Sequence, residues 1–157
     1  MTNFAELYRQ YAPDVFHFAL YLSGDRAEAE DITAETFVRA WAAPEPIRMT
    51  TVKGYLLTIA RNLFLHGRRR RRRETGLEDV HADPGPGPEA RADRDSELRV
   101  VLAALARLPE IDRAALLMRA GDEMPYEEIA RALGISLASV KVKIHRARLA
   151  LAHLRGV

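Results

Sequence analysis

Not one of the 157 residues is cysteine, which excludes disulfides and thiolate metal ligands and leaves any redox sensing to a partner. Histidine is sparse too: the five, His17, His66, His81, His145 and His153, lack the spacing of a metal site. We therefore expect no metal and no other cofactor. No uninterrupted apolar run approaches the roughly 18 residues that span a bilayer. The start, MTNFAELYRQ, has no basic segment followed by an apolar core of the kind a secretory signal needs. The expectation is a cytoplasmic protein without membrane insertion. Also missing are a nucleophile paired with a base, a cluster of ligating side chains and a glycine-rich phosphate loop. An enzyme, or a protein taking a small-molecule substrate, is not expected.

What is present is enough apolar residue, 48% of the chain, to build real cores, beside 29% charged residues. The net charge of +2 hides large blocks. Residues 1 to 45 carry eight acids and three bases, whereas 46 to 76 carry nine bases against Glu74 alone. Residues 77 to 97 are acidic again, with seven acids and two arginines, 98 to 125 balance, and 126 to 157 hold six bases and two acids. Two basic regions separated by an acidic one point to contact with a polyanion at two places.

Helical periodicity runs from Phe4 to Arg73, through Phe4, Leu7, Tyr8 and Tyr11, then Val15, Phe16, Ala19, Leu20 and Leu22. Pro13 reads as a residue near a helix start, and Ser23-Gly24-Asp25 and Pro44-Glu45-Pro46 read as breaks, so three or four helices fit. The segment LEDVHADPGPGPEARADRDS, 77 to 96, holds almost no large apolar side chain and reads as a tether. Periodicity returns with Leu98, Val101, Leu102 and Leu105, breaks at Leu108-Pro109 and resumes through Leu116, Leu117 and Met118. The expected fold is all-α: two small helical domains, 1–74 and 97–157, joined by a flexible acidic linker over 75–96.

Residues 126 to 145, YEEIARALGISLASVKVKIH, fit a helix-turn-helix. Ala130 is small where two helices approach, Gly134 sits where a positive φ suits glycine, and Ser136 is placed to cap the second helix. On a helical wheel Val140, Ile144, Ala147 and Leu151 form an apolar stripe. The other face carries Ser139, Lys143 and Arg146 with Val142 beside them, side chains suited to a major groove. A plain amphipathic hairpin with a solvated basic face is the bland alternative. Farther upstream, EAEDITAETFVRAWA, 28 to 42, sets Asp31, Glu35 and Arg39 on one stripe while Ile32, Phe37, Ala40 and Trp41 are free to pack inward. From these residues alone a dimeric helix-turn-helix repressor or activator and an RNA-binding protein using the arginine run both stay open.

EDITAETFVRAW resembles the signature of the extracytoplasmic-function (group IV) sigma factors of bacterial RNA polymerase. VKGYLLTIARNLFLHGRRRRRR, which follows, resembles their promoter-melting helix, and LPEIDRAALLMRAGDEMPYEEIARALGISLASVKVKIHRARLALAHL their second conserved domain. The chain departs from the pattern at Tyr55, where Trp is frequent, at Thr33-Ala34 and at Val142-Lys143. The resemblance implies a sigma region 2 over 1–74 and a sigma region 4 over 97–157. It further implies core RNA polymerase as a partner, docked on Asp31, Glu35 and Arg39. Promoter DNA is the other implied partner: the minus-10 element would meet the 44–51 loop and Lys53, Tyr55, Arg61, Asn62, Arg68 and Arg69, and the minus-35 duplex Ser139, Val142, Lys143 and Arg146. It also implies control by an anti-sigma factor and an acidic linker that runs through the polymerase's channels.

Overall fold

The computed structural model describes residues 3–42, 51–75, 93–120 and 124–155. Among them the structure is helical throughout, in seven elements: α1 (Phe4–Ser23), α2 (Arg26–Ala42), α3 (Val52–Thr75), α4 (Asp93–Ala106), α5 (Glu110–Arg119), α6 (Tyr126–Leu133) and α7 (Leu137–Arg155). The break at Pro44-Glu45-Pro46, most of the 44–51 loop and the PGPGP stretch lie outside the described residues.

Local chemistry sets where the helices start and stop. The Asn3 side chain accepts from the Glu6 N–H at 2.8 Å and opens α1, while Gly24, at φ 74°, closes it by donating to the Leu20 carbonyl. Asp25 then caps α2 by accepting from the Glu28 N–H at 3.0 Å. The Ser23-Gly24-Asp25 break is therefore a stop signal and a start signal set back to back. Pro13 behaves differently from the sequence expectation: it lies inside α1 rather than near a helix start. Proline there removes one backbone bond. Leu7 and Tyr11 before it and Val15 and Phe18 after it pack on the same core, which holds the helix axis across the gap.

α1, α2 and α3 pack together around Val15, Phe18, Leu22, Ile32, Phe37, Leu56, Leu57 and Phe64. Burial of one such side chain stabilises by roughly 1.5–3 kcal/mol. Trp41, which the sequence pattern allows to pack inward, instead stays 54% exposed, its ring edge-on to Phe4 with centroids 5.4 Å apart. It lies one residue from the end of α2, past the reach of the core that encloses Phe37.

In the second half α5 packs on α6 and α7, with Ala114, Ala115, Met118, Ile129, Val140, Ile144 and Ala147 buried. Pro109 precedes α5, so the Leu108-Pro109 break stands where the sequence sets it. α4 begins at Asp93, inside the segment read as tether. It buries Leu105 but leaves Val100 and Val101 exposed.

The halves are not spaced apart. α1 packs against α4 and α5, and α3 against α5 and α6, so one apolar cluster runs through both.

Candidate nucleic-acid and protein interfaces

Three surfaces carry the side chains singled out from sequence. On α2, Asp31, Glu35 and Arg39 are exposed on one stripe, and Arg39 Nε donates to Glu35 Oε2 at 2.9 Å. An exposed i,i+4 pair of this kind contributes only about 0.3–0.5 kcal/mol to stability, so its chemistry is available to a partner. Val38, 57% exposed, flanks the stripe, and Trp41, Phe4 and Tyr8 continue an apolar band beside it. Sequence reasoning missed Val38 and the outward Trp41 because an amphipathic pattern does not say which apolar residues a helix end leaves uncovered.

α3 carries the second surface. Tyr55, Asn62 and Arg69 recur every seven residues, two turns apart, and so share a face, about 10 Å between neighbours along the axis. Asn62 and Arg69 are exposed, whereas Tyr55 is half-buried with its ring against the core. Arg68 lies over the Phe64 ring at 5.3 Å, and Arg71 reaches Glu28 at 3.4 Å. Burial is the main reason the Glu28 carboxyl is pushed above its usual pKa, with Arg71 working against it. Lys53 stands 3.8 Å from Asp14.

Arg61 is set apart. It turns toward α5, where its Nε and Nη2 donate to the two carboxylate oxygens of Glu110 at 2.8 and 2.7 Å. The two side chains are only 12% and 14% exposed.

The third surface is the α6–turn–α7 unit. Gly134 takes φ 70° between the helices, and Ser136 Oγ accepts from the Ser139 N–H at 3.1 Å, both as the sequence indicates. Val140, Ile144 and Ala147 are fully buried and Leu151 is half-buried, which fixes the rotation of α7. Val142 is 54% exposed, while Ser139 and Lys143 are half-buried on the outward side. Arg146 has a dual position: its side chain is 56% exposed, yet its guanidinium grips the carboxylate of Asp112 at 3.0 to 3.2 Å. Asp112 is itself 1% exposed.

That pairing makes Arg146 a structural residue whatever else it touches. Arg146→Ala leaves a buried carboxylate without its partner, and we expect a loss of about 1–3 kcal/mol in chemical denaturation. Lys143→Ala, by contrast, is expected to leave the denaturation midpoint unchanged.

Among the described residues no group of three or more His, Cys, Asp or Glu is placed to hold a metal, and no helix is long and apolar enough to cross a membrane.

Comparison with known proteins accounts for both halves. Residues 7–74 match the family model for Sigma-70 region 2, and residues 98–151 match that for Sigma-70, region 4. The chain is 40% identical over 154 residues to the ECF RNA polymerase sigma factor SigE of Mycolicibacterium smegmatis, covering 94% of this chain and 60% of that protein. It is 34% identical over 149 residues to the ECF RNA polymerase sigma factor SigL of Mycobacterium tuberculosis, covering 92% of this chain and 84% of the relative. Among solved structures it is similar to the sigma factor RpoE of Bartonella quintana, crystallised in complex with the anti-sigma factor NepR. There the TM-score is 0.79 at 28% identity, over 98% of this chain and 97% of that one.

Proposed function

Because the chain belongs to the extracytoplasmic-function sigma factors of RNA polymerase, we propose that it directs initiation through three separate surfaces, each with one task. The α2 stripe of Asp31, Glu35 and Arg39, with Val38 and Trp41 as an apolar centre, docks on core polymerase. An apolar patch edged by charges is the layout in which a few desolvated contacts carry affinity and the charges select the partner.

The α3 face takes the minus-10 element. Unpaired bases stack on an aromatic ring and bond to an amide, which suits Tyr55 and Asn62, while Lys53, Arg61, Arg68 and Arg69 hold the backbone. The outward face of α7 takes the minus-35 duplex: Lys143 and Ser139 bond to base edges or phosphates, Val142 contacts a thymine methyl, and Arg146 holds a phosphate. Residues 1–74 and 97–157 act as two modules, with 75–96 as the tether.

The chain performs no chemistry of its own and works in the cytoplasm, where polymerase and promoter are. An anti-sigma factor is the expected regulator. The fold of RpoE, solved with NepR, supports that expectation.

The observation that carries the duplex-reading assignment is the α6–Gly134–α7 turn, with Val140, Ile144 and Ala147 docked inward, Val142 exposed and Lys143 half-buried. Its test is Lys143→Ala in holoenzyme. Affinity for promoter duplex should fall by about tenfold or more, since one base contact is worth about 1–3 kcal/mol. Affinity for a template opened in advance around the start site, and lacking the upstream element, should be unchanged. Equal loss on the two templates would contradict the assignment.

A further inference from the structure

The pair formed by Asp112 and Arg146 is lopsided in its exposure. Asp112 stands in the first turn of α5 and is almost fully enclosed, a degree of burial that aspartate rarely reaches unless it is paired. Arg146 on α7 supplies the pairing, yet keeps more than half of its own side chain in solvent. The bonding divides the guanidinium in the same way. Nε donates to Asp112 Oδ2 at 3.1 Å, and Nη2 donates to Oδ1 and Oδ2 at 3.2 and 3.0 Å. Nε and Nη2 make up one edge of a planar fork whose five N–H groups point in fixed directions. The carboxylate does not use Nη1, and the planarity of the group turns the Nη1 donors away from it. One edge of the guanidinium is therefore held by a buried acid, and the other is presented to solvent.

The presented edge lies where the duplex is expected. Ser139, Val142 and Arg146 follow one another at spacings of three and four residues along α7, so they share a face, with about 5–6 Å between neighbours. Ala147, the residue after Arg146, is fully buried, which fixes the point from which the arginine stem leaves the helix. An arginine that is mobile before binding loses rotamer freedom when it meets DNA, and affinity falls accordingly. Here Asp112 has removed that freedom in the folded protein. The donors that remain, parallel N–H groups on one planar edge, match a pair of phosphate oxygens. Stability alone is a weak reason for such a pair, because well-packed apolar residues of similar volume often serve a buried position as well or better.

We propose that Asp112, too enclosed to touch DNA, is a positioning residue for the minus-35 contact: it fixes one edge of Arg146 and thereby aims the other at a backbone phosphate of the duplex. This role rests on the reading that the outward face of α7 meets the duplex, and it makes that contact depend on a residue of another helix.

The test is made with holoenzyme on two templates, promoter duplex and a template opened in advance that lacks the upstream element. Asp112→Asn keeps the shape of the side chain and removes its charge. On charge alone the neutral side chain favours a polyanion, and affinity for duplex should rise. Positioning predicts the opposite, a loss of about three- to tenfold with the opened template unchanged. Arg146→Ala added to Asp112→Asn should then weaken duplex binding less than it does in the parent chain, because the contact has already lost its aim. Arg146→Lys keeps a cation beside Asp112 but has one ammonium for two partners, and should lose a similar factor on duplex. Suppose instead that Arg146→Ala lowers duplex affinity and reduces the slope of log affinity against log salt by about one, while Asp112→Asn keeps or raises affinity. That result would overturn the positioning role and leave the duplex reading standing. Unchanged affinity and slope in Arg146→Ala would overturn the reading that Arg146 touches DNA, and the positioning role with it. If Asp112→Asn lost binding to both templates alike, its fold would be at fault and Arg146→Lys would decide. A loss confined to duplex would then support the role, and undiminished binding would overturn it.

Discussion

Reversing both carboxylates of the α2 stripe, Asp31→Lys with Glu35→Lys, should weaken binding to core polymerase by more than about a hundredfold. Juxtaposed like charges cost several kcal/mol, and each 1.4 kcal/mol is a factor of ten. The fold should survive. Asp31 and Glu35 are exposed, and the pair lost with Arg39 is a surface contact worth a few tenths of a kcal/mol. Circular dichroism of the variant should therefore match the parent, while its complex with core enzyme disappears from size-exclusion chromatography. An unaltered complex would remove α2 from the docking surface. Trp41→Ala gives a graded companion, because an aromatic ring left 54% exposed is the natural centre of such a contact.

The second large effect is expected on α3. Tyr55→Ala with Asn62→Ala should weaken holoenzyme binding to a template carrying a preopened minus-10 bubble by roughly ten- to a hundredfold, since base–aromatic stacking alone is worth about 1–3 kcal/mol per base. Binding to duplex bearing only the upstream element should stay within error of the parent. This is the mirror image of the Lys143→Ala result, and together the two establish whether paired and unpaired bases are handled by different halves. Because the Tyr55 ring is half-buried against the core, Tyr55→Phe serves as the control. It keeps the packing and the π-face and should retain most of the affinity.

Much of this architecture is legible in the residues themselves. Gly24 and Gly134 take the positive φ that their positions between apolar runs suggest, and Ser136 caps where a serine before an apolar-periodic segment should. The stripe of Val140, Ile144 and Ala147 is buried as a 3.6-residue period demands. These are local decisions, made within one or two turns of chain.

What the sequence does not disclose is long-range pairing of charges. Arg61 and Arg146 look alike from sequence, two arginines on basic helices, yet one is bound to Glu110 and the other to Asp112 across 49 and 34 residues. Nothing in spacing announces these partners. Pro13 and Trp41 fail for a related reason: whether a helix survives a proline, or buries a tryptophan, depends on what the neighbouring helices supply. The closeness of the two halves follows from the same kind of information, since Gly54 reads as an indifferent helical glycine until Glu128 is found against it.

Alanine at Arg146 removes a structural ion pair together with any DNA contact, so Lys143 is the cleaner probe of duplex reading, and Asn62 the cleaner probe of strand capture than Arg61.

The central claim is that two helical modules of one chain serve a polymerase that supplies the catalysis. Its most direct test is transcription from a genomic fragment library by purified core RNA polymerase, with and without the purified chain. The account predicts a stable complex and new transcripts from a discrete set of start sites, each preceded by a shared pair of elements near minus-35 and minus-10. Failure of the inhibitor-free chain to form any complex with core enzyme would contradict it.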